Sequence, residues 1–228
     1  MQLYSLTLFI TTLLIIASNA APIEPRGMKG CYKHAILTFY WIPKQGDKDM
    51  LNNGQVVSLN GPKTQQLKSD NGKTIAKVSK YTYEKFQMEG TGLLQNGIMV
   101  NLGNSKNQFQ VVDRKNSPYG VGSNDNSLVP WVSVASNDLK RGTTLYVKEL
   151  DGLKLPDGKV HNGCVRVDDQ GWSFGSCQLD FFTLQFSAYQ ALDNKVPGHV
   201  TVTQKKCKVQ NYVTGAVKAW AELNGQKA

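Results

Sequence analysis

The chain has 228 residues, enough for one domain with elaborations and for a substantial apolar core without metal help. Lysine and arginine number 26 against 17 acidic residues, a formal charge of +9 that, in an exported protein, favours acidic wall polysaccharides, peptidoglycan or membrane surfaces. The excess is spread along the chain, which suits a solvated basic surface equally well, and the lack of a basic helix or nucleic-acid signature argues against a nucleic-acid partner.

Residues 1–20 hold no charged side chain. Their apolar run, Leu6 to Ala17, is short for a bilayer span. Ser18-Asn19-Ala20 offers the small residues a signal peptidase reads, so this segment is expected to be a secretory signal, with a signal anchor as the alternative. Pro22 and Pro25-Arg26-Gly27 begin a flexible leader, residues 21–30, rather than continue a helix. The mature protein is expected to be extracellular, with no stable membrane span once the signal is cleaved.

Ala35 to Ile42 is an apolar, aromatic and β-branched run ended by Pro43, hence a strand with both faces at least partly covered. After a polar loop from Lys44 to Gly54, Gln55–Leu59 and Thr64–Lys68 read as strands. Asn71-Gly72 marks a hairpin that returns through Thr74–Val78. Lys80–Gln87 reads as a short helix, and Met88 to Gly92 as a constrained loop presenting Glu89. Ile98–Leu102, Gln108–Val112, Trp131–Ala135 and Thr143–Val147 are further strands, and the loop Ser117–Leu128 carries Tyr119. Leu153 to Gly158 makes a turn. Leu184–Leu192 reads as helical, Val200–Thr203 as a strand, and the tail, residues 213–228, has Val217, Trp220 and Leu223 at helical spacing. Many short strands joined by Gly and Asn turns describe a mainly β barrel or sandwich.

The window His161 to Phe182 concentrates Asp168, Asp169 and Asp180 with two cysteines and three glycines. Cys164 to Val167 alternates as a strand. Asp168, Asp169 and Gly171 supply turn chemistry, and Gln178 to Phe182 resumes as a strand bearing Asp180. Two carboxylates on neighbouring strands sharing one cleft are the minimum for general acid/base work on a glycosidic or acyl bond, whereas a solvated turn with a capping Asp180 would do no chemistry. The four cysteines, Cys31, Cys164, Cys177 and Cys207, are expected to form two disulfides. Of three pairings, the nested one, Cys164 with Cys177 and Cys31 with Cys207, is preferred. His161 and Cys164 make an incomplete ligand set, so neither a metal nor a cofactor is expected.

Ser133-Val134-Ala135, Gly142 to Val147, Val167 to Gly171, Gly175 and Gln178 to Phe182 together resemble the three-aspartate (3D) domain. That domain is similar to the catalytic barrel of the lytic transglycosylase A family and to the rare-lipoprotein-A-like barrels. Glu89 to Gly92 and Gly61 to Thr64 look like its longer secreted, mostly fungal members. The resemblance implies a six-stranded double-psi β-barrel over residues 31–212, with extra hairpins and a few short helices. It implies that Asp169 and Asp180, eleven residues apart, match the first and last aspartates of D-x-G-G-x-I-K-G-x-x-x-D. Asp169 would then be the acid/base that protonates the glycosidic oxygen and helps the sugar's 6-hydroxyl close a 1,6-anhydro ring. Two departures stand out. Asn137-Asp138 occupies the place of the family's remaining aspartate, and Trp172-Ser173-Phe174 replaces the glycine- and lysine-bearing loop.

Three functions follow. The leading one is a non-catalytic, expansin-like protein that holds cell-wall polysaccharide of peptidoglycan, chitin or glucan type in a groove, with Trp172, Trp131, Tyr119 and Asp168 as binding residues. The second is a lytic transglycosylase-like or glycoside hydrolase-like enzyme using Asp169, Asp180 and Glu89. The third is a secreted interaction protein or inhibitor using the barrel as a scaffold.

Overall fold

The computed structural model describes residues 28–171 and 174–223. The expected signal, most of the leader, the last five residues of the tail, and Trp172 with Ser173 lie outside the described residues.

In chain order the elements are β1 (Ala35–Trp41), β2 (Lys48–Met50), β3 (Val56–Ser58), β4 (Gln65–Lys68), β5 (Thr74–Val78) and α1 (Lys80–Glu89). Then come β6 (Thr91–Leu93), β7 (Met99–Leu102), β8 (Phe109–Val111), β9 (Ser133–Ala135), β10 (Thr144–Lys154) and β11 (Val160–Asp169). The chain ends through β12 (Gln178–Leu184), α2 (Phe186–Leu192), β13 (His199–Val200), β14 (Val202–Thr203) and α3 (Gly215–Trp220). No helix among the described residues is long and apolar enough to cross a membrane.

The main sheet has seven strands in the order β13-β1-β12-β9-β11-β10-β14. Its two edge strands are consecutive pieces of one extended stretch. His199 and Val200 pair with Ile36 and Ala35, while Val202 and Thr203 pair with Val147 and Tyr146. One short segment thus joins both edges, and the sheet curls into a nearly closed barrel, which removes exposed edges. Inside it, Leu37, Val134, Val165, Val167, Leu179 and Phe181 form the core. Phe181 is fully buried against the rings of Phe39, Trp131 and His161. Each such aromatic contributes about 1.5–3 kcal/mol by leaving water.

Between β1 and β9 the chain makes a long excursion of hairpins around α1. Asn71-Gly72 turns β4 into β5 as its sequence demands, with Gly72 at φ 80°. Ser79 caps α1 by accepting from the Thr82 N–H, and Gly90 ends it at φ 76°. This excursion has its own small core of Leu67, Val78, Phe86, Leu94, Val100 and Phe109. A third cluster, including Ile42, Leu93, Met99, Phe182, Val217 and Ala221, welds it to the barrel and buries one side of α3.

Three expectations need correction here. The disulfides are Cys31–Cys177 and Cys164–Cys207, not the nested pairs. The reason is strand direction. β1 and β12 run parallel with Ile36 opposite Gln178, so the residues leading into both strands, Cys31 and Cys177, arrive at the same end of the barrel. Cys164 lies on β11, from which its nearer partner in sequence is carried away, while β14 delivers Cys207 beside β10. The second correction concerns Asp168 and Asp169, which do not turn the chain but complete β11. Glu89, likewise, is the last residue of α1 rather than part of a loop.

Candidate active site

The strand order decides which carboxylates meet. β9 lies between β11 and β12, and its last residue, Ala135, is the register partner of Asp169 on one side and of Asp180 on the other. The two aspartates therefore sit on strands separated by a third, not on neighbouring strands. The β9–β11 register slips between Val167 and Asp169, so that β11 carries one residue more than its partner there. Irregularities of this kind re-aim side chains beside functional sites. Here the slip puts Asp169, rather than Asp168, opposite Ala135.

Asp169, Asp180 and Glu89 all line one cleft of about 780 Å³ between the barrel and the excursion. Tyr40, Trp41, Val111 and Leu128 contribute apolar wall, and Ala135 lies between the aspartates. Asp169 is anchored by the N–H groups of Ser123 and Gln170, which donate to its Oδ1 at 2.6 and 2.8 Å. A Cβ on Gly122 would come within 2.7 Å of that carboxyl, so the loop approaches as closely as it does only because residue 122 is glycine.

Asp180 is enclosed. Its Oδ1 is buried with no hydrogen-bond partner among the described residues. Burial pushes its carboxyl up, the charges of Glu89 and Asp169 add to this, and a hydrogen bond with Thr38 only partly offsets it, leaving a pKa of about 7. Tyr40, two residues along β1 from Thr38, has its hydroxyl buried beside them. Burial first, and then the charges of Asp169 and Asp180, hold its phenol well above the usual range.

Glu89 belongs to a buried ionic network. Lys85, one helical turn earlier, donates to Glu89 Oε1 at 2.6 Å, lies 3.2 Å from Asp49 Oδ1 and donates to the Met50 carbonyl at 2.9 Å. The Trp41 indole N–H shares the Asp49 carboxylate at 3.1 Å and 3.2 Å, and its ring centroid lies 5.2 Å from the ammonium. Lys85 and Asp49 are each 1% exposed. Burial raises the carboxyls of both Asp49 and Glu89, with Lys85 pulling back against it.

Of the other expected binding residues, Trp172 lies outside the described residues, and Asp168, Trp131 and Tyr119 do not join them. Asp168 turns away and is held by Arg166 Nε at 2.6 Å and the Ser133 hydroxyl at 2.5 Å, a structural clasp outside the cleft. Trp131 is buried in the barrel core and Tyr119 in the third cluster, so neither can offer a face to a sugar. Apolar surface outweighed the loop setting of Tyr119, and Trp131, expected to open a strand, sits in the turn before β9 with its ring turned inward. Asn137 and Asp138 part company as well. Asn137 accepts from the Gly171 N–H at 3.0 Å and donates to the Phe174 carbonyl, pinning the loop after β11. Asp138 is clasped by Tyr32, Lys29 and the Cys177 N–H. These contacts outweigh the effect of its burial and hold its carboxyl below the usual range. His161 has both ring nitrogens committed, accepting from the Gly163 N–H at 2.9 Å and bonding the Trp131 carbonyl at 2.8 Å.

Tyr40, Lys85, Asp49 and Gly122 are the site residues that sequence reasoning passed over. Only Lys85 left a local signal, its i,i+4 spacing to Glu89.

No family model matches the chain, and no curated protein matches it. Among solved structures, its trace is similar to MltA from E. coli at 14% identity, covering 75% of this chain and 71% of that one, TM-score 0.43. It is also similar to a membrane-bound lytic murein transglycosylase from Agrobacterium tumefaciens at 11% identity, covering 74% and 72%, TM-score 0.46. A third is the lytic transglycosylase LtgG of Burkholderia pseudomallei at 12% identity, covering 75% and 71%, TM-score 0.39.

Proposed function

We propose that this is a secreted enzyme that cleaves β-linked amino-sugar or glucan chains of a cell wall, in the manner of a lytic transglycosylase or glycoside hydrolase. The observation that carries the reading is the convergence of Asp180, with its carboxyl raised to about 7, and Asp169 and Glu89 on one open cleft. A carboxyl whose surroundings let it keep its proton to near-neutral pH is suited to act as the acid. In this proposal Asp180 is the acid and Asp169 the base, the reverse of the roles implied by the three-aspartate resemblance. Asp180 gives its proton to the glycosidic oxygen as the C1–O bond breaks. Asp169 takes the proton of the hydroxyl that attacks C1, either water or the sugar's own 6-hydroxyl.

The barrel is read as a double-psi type in which β13 and β14 are one interrupted sixth strand, and the chain as a member of the three-aspartate group. Two disulfides fit an exported protein. A purely binding role is less well supported than the sequence suggested, since Trp131 and Tyr119 are buried and Trp41, which lines the cleft, is 7% exposed. The test is incubation with chitin-type, peptidoglycan and β-glucan oligomers, with products resolved by mass. Turnover that disappears in both Asp169→Asn and Asp180→Asn, with unchanged circular dichroism, is expected; anhydro ends would mark transglycosylation and reducing ends hydrolysis. Binding of oligomers without any product would return the protein to the groove-binding class, and neither binding nor product would leave the scaffold reading.

A further inference from the structure

The chain is strongly basic, yet its cleft is not. Five carboxylates line it, Glu89, Asp113, Asp125, Asp169 and Asp180, and no lysine or arginine does so among the described residues. Two cations close behind its walls are engaged elsewhere. Lys85 lies behind Glu89 and is shared with Asp49, and Arg114 turns its guanidinium to the carbonyls of Gly97 and Pro118 at 2.6 and 3.2 Å. Acid/base chemistry employs at most three of the five. Asp113 and Asp125 are exposed at the cleft. Asp113 accepts from the Lys115 N–H and the Asn116 amide at 3.0 and 2.8 Å, and Asp125 ends a short 3₁₀ turn at φ 58°.

A cleft lined by one sign of charge, with apolar walls, focuses its field on whatever enters. The acidic groups do not gather into a metal cage, since no three of the described His, Cys, Asp and Glu side chains are placed to hold one ion. With Asp180 holding its proton and Glu89 paired with Lys85, the negative charge rests on Asp113, Asp125 and Asp169, and together with the buried Asp180 Oδ1 that has no hydrogen-bond partner it suits a ligand whose positive charges are also distributed. Resting on the glycan reading above, we infer that the cleft selects chains carrying free amino groups, glucosamine-type polymers, and rejects acidic glycans. The basic outer surface and the acidic cleft then have separate tasks: the first adheres to an anionic wall, the second discriminates among the chains within it.

The experiment compares three hexamers, of glucosamine, N-acetylglucosamine and galacturonate, binding to Asp169→Asn by titration calorimetry at low and high salt. Glucosamine hexamer is expected to bind roughly tenfold more tightly than its acetylated counterpart at low salt, as one or two partly solvated charge pairs would give. That preference should collapse in about 0.5 M salt, where screening reaches only a few ångströms. Asp113→Asn with Asp125→Asn should lower it severalfold. Equal binding of the charged and acetylated hexamers, or binding of the galacturonate, overturns charge selection while leaving a glycan-active cleft in place. Failure of all three hexamers to bind overturns amino-sugar selection, and failure of β-glucan and peptidoglycan oligomers as well removes the glycan reading itself.

Discussion

Asp169 and Asp180 face each other across a single methyl group, since Ala135 is the strand partner of both. Two interstrand spacings put their Cα atoms roughly 10 Å apart. Ala135 lines the cleft between them. The size of residue 135 therefore sets the floor on which a sugar ring would rest. Ala135→Leu should fill that space, with a cost in stability of about 1–3 kcal/mol from overpacking and a far larger loss of turnover. Steady-state kinetics beside thermal unfolding would separate the two; activity within a few-fold of the parent would mean the reacting bond does not lie above Ala135.

The proton on Asp180 gives the activity a direction in pH. A carboxyl with a pKa of about 7 is protonated below that pH and ionised above it. If it is the acid, turnover should fall as pH rises through about 7, by roughly tenfold for each further unit. Asp180→Asn should lower turnover by about 10²–10⁴ across the range. A rate that stays level from about pH 6 to 9 would be incompatible with Asp180 as proton donor.

The same group bears on stability with the opposite sign to an ordinary salt-bridged aspartate. Its folded pKa lies above its unfolded value of 3.8, so the folded protein holds a proton that the unfolded chain releases. The associated stability is complete below pH 3.8 and is lost as pH rises through about 7. At pH above 8, Asp180→Asn should consequently be the more stable protein, by at most about 4 kcal/mol. Urea denaturation of both proteins at alkaline and acidic pH measures this, and a variant that is less stable at alkaline pH would contradict the environment assigned to Asp180.

What the sequence made legible follows from how local each feature is. The hairpin at Asn71-Gly72, the α1 helix and the alternation of Val165 and Val167 depend on residues a few places apart, and all appear where expected. The sequence singled out Asp169 and Asp180 because they lie within one window, and Glu89 because glycines flank it. Whether Trp131, read as the start of a strand, faces solvent or the core depends on strands far away in sequence, and it went inward from a turn before β9. Tyr40 looked like one more aromatic in a buried strand; nothing near it in sequence reveals that Asp169 and Asp180 arrive beside its hydroxyl. Parallel pairing is the same problem in another form, since no turn signal records that β1 lies beside β12.

That parallel pairing can be tested through its cross-links. Cys31–Cys177 closes a loop of 146 residues and Cys164–Cys207 one of 43. Removing the first by Cys31→Ser with Cys177→Ser should cost about 2–5 kcal/mol, as for a native disulfide in an exported domain. Peptide mapping without reduction would identify the partners directly, and a Cys31–Cys207 peptide would refute the alignment of the two strand starts.

Lys85 is expected to act on the chemistry through Glu89 rather than by touching substrate. It is buried between Asp49 and Glu89, and the negative charge it sustains on Glu89 helps keep Asp180 protonated. In Lys85→Met the two buried carboxyls lose their cation, which should destabilise the protein by about 3–5 kcal/mol, as breaking a buried pair does. Lys85→Met with Asp49→Asn removes one of the stranded charges and should recover part of that loss. In this second variant Glu89 has no cation, its carboxyl rises further and takes up a proton, and its repulsion of the Asp180 charge is gone. The Asp180 carboxyl should then fall, and the alkaline limb of the activity profile should move to lower pH with it. A merely structural lysine would reduce stability and leave the limb in place. The position of that limb, measured on the folded double variant, therefore decides whether the network tunes the proton on Asp180 or only fills the space behind α1.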